Sequence, residues 1–270
     1  MTIYLRKEFE ERWTGLDPFE QVKLLQGKVF RELEARRTLQ FESAGKSYFA
    51  KIHGGIGWKE IIANLLRFRL PVLGAENEWL AIRRLEKAEV PTMTVAAYGK
   101  RGKNPAQQLS FIITDDLTNT ISLEDYTLDW LKHPPSYAIK YQLIKKVAEY
   151  TKKMHLSGVN HRDYYICHYL LHLPEDGSEL TVDTIKLNLI DLHRAQVRSK
   201  TPTRWIKKDL AALYFSVLDI GLTYRDVLRF IRYYTGVPLR QALKNQRYWQ
   251  SITHKAKKMY LRKQRKGDAI

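Results

Sequence analysis

At 270 residues with 44% hydrophobic content, the chain is long enough to bury one large core or two lobes, and its composition excludes a low-complexity or disordered protein. Its 46 Lys and Arg against 29 Asp and Glu give a formal charge of +17, which points to an anionic partner such as nucleic acid, a phosphorylated substrate or a lipid surface. Cys167 is the only cysteine, so no intrachain disulfide can form. With no signal-peptide pattern and no uninterrupted apolar run of about 18 residues, a cytosolic or membrane-surface location is expected.

In chain order, the first half reads as strands with a helical interruption. Residues 28–53 form a β-meander around the turn Ser43-Ala44-Gly45-Lys46, with Tyr48, Ala50 and Ile52 alternating against Phe49 and Lys51. In WKEIIANLLRFRLPVLG, Trp58, Ile61, Ile62, Leu65 and Leu66 recur at helical spacing beside Lys59, Arg67 and Arg69. The pattern predicts an amphipathic basic helix stopped by Pro71, which either packs on the strands or meets a membrane surface or substrate. A second helix, ENEWLAIRRLEKAEV, turns Trp79, Leu80, Ile82 and Leu85 inward. SFIITDDL, residues 110–117, is an apolar strand running into a pair of acids.

The second half is predominantly helical. KYQLIKKVAEYTKKMHLSG places Ile144, Val147, Ala148, Thr151 and Met154 on one stripe, with Gly158 where a helix end is expected. VNHR is short and extended. YLLHL and KLNLIDL are short strands joined through the turn Glu175-Asp176-Gly177-Ser178. KKDLAALYFSVLDIGL and TYRDVLRFIRYYTG return to helix, and ten Lys or Arg with no acid fall between Arg240 and Lys266. A strand-rich half followed by a helical half predicts an α+β protein of two lobes, residues 1–116 and 117–270.

The stretch MHLSGVNHRDYYICHYLLHL, residues 154–173, carries the chemistry. A helix end, a short strand delivering His161-Arg162-Asp163, a hairpin, and Ile190-Asp191 at the end of its second strand resemble the catalytic core of protein kinases. That chemistry needs two carboxylates, one to orient the attacking hydroxyl and one to hold the Mg²⁺ that bridges the nucleotide phosphates. Asp163 takes the first role and Asp191 the second. The resemblance makes two demands upstream: a Lys on the third strand, met by Lys51, and a Glu on the following helix to pair with it. Glu76, Glu78 and Glu86 are available, and Glu78 is favoured. The adenine of ATP would lie against backbone groups from Asp115 to Leu117. Arg162 and Asp209 would support the catalytic loop, although Asp209 also suits an ordinary acid in the first turns of a helix.

The pattern departs from protein kinases in several places. No glycine-rich loop separates the first strands, where Ala35-Arg36-Arg37 stands instead. His168 replaces the usual Asn five residues after the catalytic Asp, and an imidazole is a less natural Mg²⁺ ligand than an amide oxygen. Leu-His-Arg follows Asp191, and no A-P-E segment closes an activation loop. These features favour a small kinase-like phosphotransferase.

With HRDYYICHYLLHLP, LIDLHRAQVR, DPFEQVKLLQGKVFRELEARRTLQFE and SFIITDDLTNTISLEDY, the chain resembles the bacterial lipopolysaccharide core heptose kinase family from about residue 8 to residue 240. The resemblance implies a protein-kinase-like enzyme at the cytoplasmic face of the inner membrane. It would use ATP and Mg²⁺ to phosphorylate the first heptose of the inner core, with lipopolysaccharide core glycolipid as acceptor and no nucleic acid as partner. Within that family His168 is an ordinary feature, and it is a candidate metal ligand beside Asp191. Other readings are a kinase-like phosphotransferase for protein, small sugar or aminoglycoside, a pseudokinase scaffold, and a nucleic-acid-binding protein using the aromatic-flanked basic tail. The tail is otherwise a solvated basic helix.

Overall fold

A computed structural model describes residues 1–33, 35–66 and 74–267. The chain divides into two compact units, Met1–Arg83 with Met93–Leu117 and Leu192–Arg194, and Arg84–Thr92 with Thr118–Asp191 and Ala195–Ile270.

The first unit is built on a six-stranded antiparallel sheet in the order β1-β5-β6-β4-β3-β2. Its strands are β1 (Thr2–Leu5), β2 (Lys28–Leu33), β3 (Arg36–Ser43), β4 (Lys46–His53), β5 (Val95–Arg101) and β6 (Leu109–Asp115). Between β3 and β4 the connection is two residues, Ala44 at φ 49° and Gly45 at φ 73°. This left-handed pair matches the right-handed twist of the strands it joins, so a glycine is placed where the turn needs one.

Alternation along β4 sorts side chains to the two faces. On one face Tyr48 and Ala50 join Leu39, Phe41, Ala97, Phe111 and Ile113 in a core capped by Phe9 of α1 (Lys7–Arg12), by Trp13 just after it, and by Phe19 and Val22 of α2 (Pro18–Lys23). Each large side chain buried there contributes roughly 1.5–3 kcal/mol. On the opposite face, Lys51 lies directly across from Ile112, and Ile112 across from Tyr98. Helix α1 and helix α2 were not apparent from the sequence, because six residues are too few to establish a 3.6-residue period.

Helix α3 (Gly57–Leu66) forms where the apolar spacing places it, but only part of its apolar face is covered. Ile61 is buried, whereas Trp58, Ile62 and Leu66 are exposed. Arg67, Arg69 and Pro71 lie outside the described residues. Helix α4 (Glu76–Lys87) buries Ile82 and Leu85 but exposes Leu80, contrary to the sequence expectation. At 100° per residue, position 80 turns away from the face that carries 78, 82 and 85.

The second unit contains α5 (Leu123–Thr127), α6 (Tyr137–Leu156), α7 (Thr203–Ser216), α8 (Tyr224–Thr235), α9 (Leu239–Ala242) and α10 (Gln246–Gly267). Its strands are short: β7 (Thr120–Ser122), β8 (Val159–Asn160), β9 (Tyr169–His172), β10 (Leu187–Leu189) and β11 (Gln196–Val197). They make a three-stranded sheet, β10-β9-β7, and a pair, β11-β8. The predicted stripe of α6 is buried, including Ile144, Val147, Ala148, Thr151 and Met154. Leu210 and Ala211 of α7 pack against Ile252 and Ala256 of α10. Among the described residues no helix is long and apolar enough to cross a membrane.

Candidate active site

In the first unit, Lys51 Nζ meets Glu78 Oε1 at 2.7 Å. The Lys51 side chain is 19% exposed and that of Glu78 only 1%. Glu78 reaches the lysine because β4 turns Lys51 to the face that α4 covers, and because Glu78 stands in the first turn of α4, where the helix dipole favours a carboxylate. The other candidate acids go elsewhere: Glu76 pairs with Lys100 at 2.6 Å, and Glu86 is exposed. Trp79 stacks on Tyr98, with ring centroids 4.7 Å apart, and fixes the helix against the same face.

Asp115 ends β6, and Arg6 holds its carboxylate with two hydrogen bonds, of 2.7 and 2.5 Å. Its backbone N–H donates to Thr94. Both its carboxylate and its N–H are thus engaged within the fold. Arg37 donates to the Leu25 carbonyl at 3.2 Å, which ties it to the fold.

In the second unit, His161, Arg162 and Asp163 leave β8 as a loop folded on itself. The Asp163 carbonyl accepts the Tyr165 N–H at 3.0 Å and His168 Nδ1 at 2.6 Å. A carbonyl only accepts, so Nδ1 carries the proton and, in the neutral ring, Nε2 carries the lone pair. That nitrogen lies 3.6 Å from Asp191 Oδ2. Two further bonds join the loop to the residue before Asp191: His161 Nε2 donates to the Ile190 carbonyl at 2.9 Å, and Ile190 N–H donates to His168 at 2.9 Å. Burial pushes the His161 pKa down, so the ring is neutral and donates from Nε2 alone.

The loop is braced from below. Asp209, fully buried in α7, accepts the backbone N–H of His161 at 2.8 Å and of Arg162 at 3.0 Å. Tyr164 hydrogen-bonds Thr151 of α6 at 2.7 Å and also meets the Tyr169 hydroxyl, while Ile166 N–H reaches Ser216 at 2.9 Å. Arg162 has φ 76° and Asp191 φ 60°, left-handed values that a non-glycine residue keeps only when its surroundings over-determine it. His161 was not singled out from the sequence, although it begins the HRD motif. Tyr164 carried no signal, and Thr151 was legible only as part of the buried stripe of α6, since their bond spans separate elements.

A strand lysine paired with a helix glutamate, and a braced HRD loop tied to a strand-end Asp, define a phosphotransferase of protein-kinase-like fold. A model of the lipopolysaccharide kinase (Kdo/WaaP) family matches residues 20–234, and the chain belongs to that family. It is 54% identical over 273 residues, and the full length of both chains, to the lipopolysaccharide core heptose(I) kinase WaaP of Pseudomonas aeruginosa. To the protein of the same name from Escherichia coli it is 53% identical over 266 residues, 98% of this chain and 99% of that one. A solved structure described as WaaP in complex with acyl carrier protein superposes with a TM-score of 0.84 at 49% identity, covering 96% of this chain and all of that one.

Proposed function

We propose that the chain transfers the γ-phosphoryl group of ATP to a hydroxyl of the first heptose of the lipopolysaccharide inner core. Residues 1–116 serve the nucleotide and residues 117–270 the acceptor. The acceptor oxygen attacks the γ-phosphorus, the bond from that phosphorus to the bridging oxygen breaks, ADP leaves, and the hydroxyl proton passes to Asp163. Lys51, set by Glu78, neutralises the α- and β-phosphates, and backbone atoms from Asp115 to Leu117 meet the adenine. Asp191 and the Nε2 of His168 fit a divalent cation as a pair of adjacent ligands. Among the described residues no group of three or more His, Cys, Asp or Glu side chains is placed to hold one. That sparse protein set suits Mg²⁺, which takes much of its shell from phosphates and water and neutralises developing charge when bound.

The observation that carries this reading is the set of hydrogen bonds by which Asp209 holds the backbone of His161 and Arg162, His168 Nδ1 holds the Asp163 carbonyl, and His161 holds the Ile190 carbonyl next to Asp191. Work at the cytoplasmic face of the inner membrane is supported by Trp58, Ile62 and Leu66, exposed at four-residue spacing on α3, and by the basic α10. Each basic residue near an anionic surface contributes about 1 kcal/mol. Since one relative has been solved with acyl carrier protein, that protein is the first partner to test. The decisive assay follows label from γ-labelled ATP into core lipopolysaccharide lacking heptose phosphate, with wild type and Asp163→Asn side by side. Wild type should label the glycolipid, and the variant should lose about 10²–10⁴ of the rate while still binding nucleotide. Label appearing instead in protein or free sugar would overturn the acceptor assignment.

A further inference from the structure

Beside the HRD loop, four cations surround one indole. Lys208 Nζ lies 4.1 Å from the Trp205 ring centroid, and the guanidinium carbons of Arg204, Arg162 and Arg198 lie at 5.3, 5.8 and 5.9 Å. Attraction to the ring face offsets part of their mutual repulsion, yet charges this close are scarcely screened by salt. Among the described residues Arg198 donates only to neutral groups, the side-chain oxygens of Asn160 at 2.6 Å and Gln196 at 2.7 Å. Arg204 and Lys208 are exposed, and among the described residues neither they nor Arg198 have a carboxylate partner. The carboxylate next in sequence, Asp209, is buried and committed to backbone N–H groups. Lys255 of the packed helix α10 has its pKa lowered by burial and then by Lys208, as expected where positive charge is not compensated.

Two buried donors adjoin the same cluster. Trp205 Nε1 and Asn160 Nδ2 have no hydrogen-bond acceptor among the described residues. Helix α7 begins here at Pro202 with no side-chain cap, so its dipole adds positive potential. A cluster of guanidinium and ammonium groups, unpaired donors and a helix start is the chemistry that recognises an oxyanion.

We propose that the Arg198, Arg204, Lys208 and Trp205 cluster is an acceptor subsite that binds an anionic group of the glycolipid, a sugar-acid carboxylate or a phosphate. This rests on the heptose-kinase reading and adds to it the feature by which the acceptor is oriented. Arg162, contributing to the same ring, directly precedes Asp163, so an anion held here belongs close to the sugar being phosphorylated.

The test compares wild type with Arg204→Gln/Lys208→Gln on three acceptors: core glycolipid, the same glycolipid with its carboxylates methyl-esterified, and the same glycolipid with its lipid phosphates removed. On the first, the variant should raise KM for the acceptor about tenfold, with kcat within about twofold. The wild-type to variant difference should then vanish on one of the altered acceptors. Loss on esterification identifies a carboxylate, and loss on dephosphorylation a phosphate. An unchanged KM, or a difference that persists on both altered acceptors, overturns the subsite. If wild type labels none of the acceptors, the heptose-kinase reading fails instead. Titrating the intact core glycolipid in detergent micelles into the two proteins by calorimetry then decides the subsite without turnover, with equal affinities refuting it.

Discussion

The Oδ1 atom of Asp209 accepts the backbone N–H of Arg162 at 3.0 Å, and Arg162 sits at φ 76°. A buried carboxylate on α7 thus holds the turn from which Asp163 emerges. Its second oxygen takes the His161 N–H, so the anion is met by two backbone donors. Asp209→Asn places an NH₂ against one of those donors and removes the charge that strengthened both bonds. The variant should lose about 2–4 kcal/mol in urea denaturation and should lower kcat more than it raises KM for ATP. Wild-type kcat in a destabilised Asp209→Asn would show that the turn does not depend on this anchor.

The Lys51–Glu78 pair yields a separable prediction. Removing the lysine leaves a carboxylate whose side chain is 1% exposed and whose Oε2 has no hydrogen-bond partner among the described residues. Lys51→Ala should therefore cost about 3 kcal/mol, whereas Lys51→Met with Glu78→Leu, which leaves no buried charge, should lie within about 1 kcal/mol of wild type. Neither protein should bind ATP normally. Thermal melting read beside nucleotide binding separates the two effects, and recovery of ATP affinity in the double variant would remove Lys51 from the phosphate site.

Gly158 ends α6 just before the strand that leads to HRD. It sits at φ 87°, and a Cβ there would lie 1.9 Å from the Arg198 carbonyl oxygen. The Gly158 carbonyl accepts the Arg198 N–H at 2.9 Å, so the two backbones cannot separate without breaking β8 from β11. Gly158→Ala should cost about 3 kcal/mol or more. Gly177→Ala is the control, since a Cβ there meets nothing within 4 Å although its φ is 71°. Equal losses in the two variants would attribute the effect to φ alone.

Two buried histidines set an acid limit to stability. Burial, then the charges of Arg36 and Lys51, pull the His53 pKa down to about 3, and burial lowers that of His161. In the unfolded chain each takes a proton near pH 6.5. Each therefore contributes stability that is fully present above that value and is lost as pH falls. Between pH 7.5 and pH 5.5 the loss is about 1.4 kcal/mol for His53, and His161 adds to it in the same direction. His53→Gln should remove about 1.4 kcal/mol of the fall measured by urea midpoints, and an unchanged slope would place His53 in contact with solvent.

Much of this was already present in the sequence. The Ala44-Gly45 turn, the alternation through Lys51 and the order HRD, hairpin, Asp191 are local patterns, and local patterns survive into the fold because neighbouring residues dictate them. What the strings could not determine was which face meets what. A 3.6-residue period places Glu76, Glu78 and Glu86 on one helix but does not say which of them meets Lys51, 27 residues from Glu78. The packing of α4 on the sheet chose Glu78, sent Glu76 to Lys100 and turned Leu80 outward. Likewise the sequence offered His168 without its tautomer and Asp209 without its burial. The burial of Asp209 was decided by contacts with a loop 47 and 48 residues away, and the tautomer of His168 by the folding of that loop back onto its own Asp163 carbonyl, neither of which a single helix or strand has the means to specify.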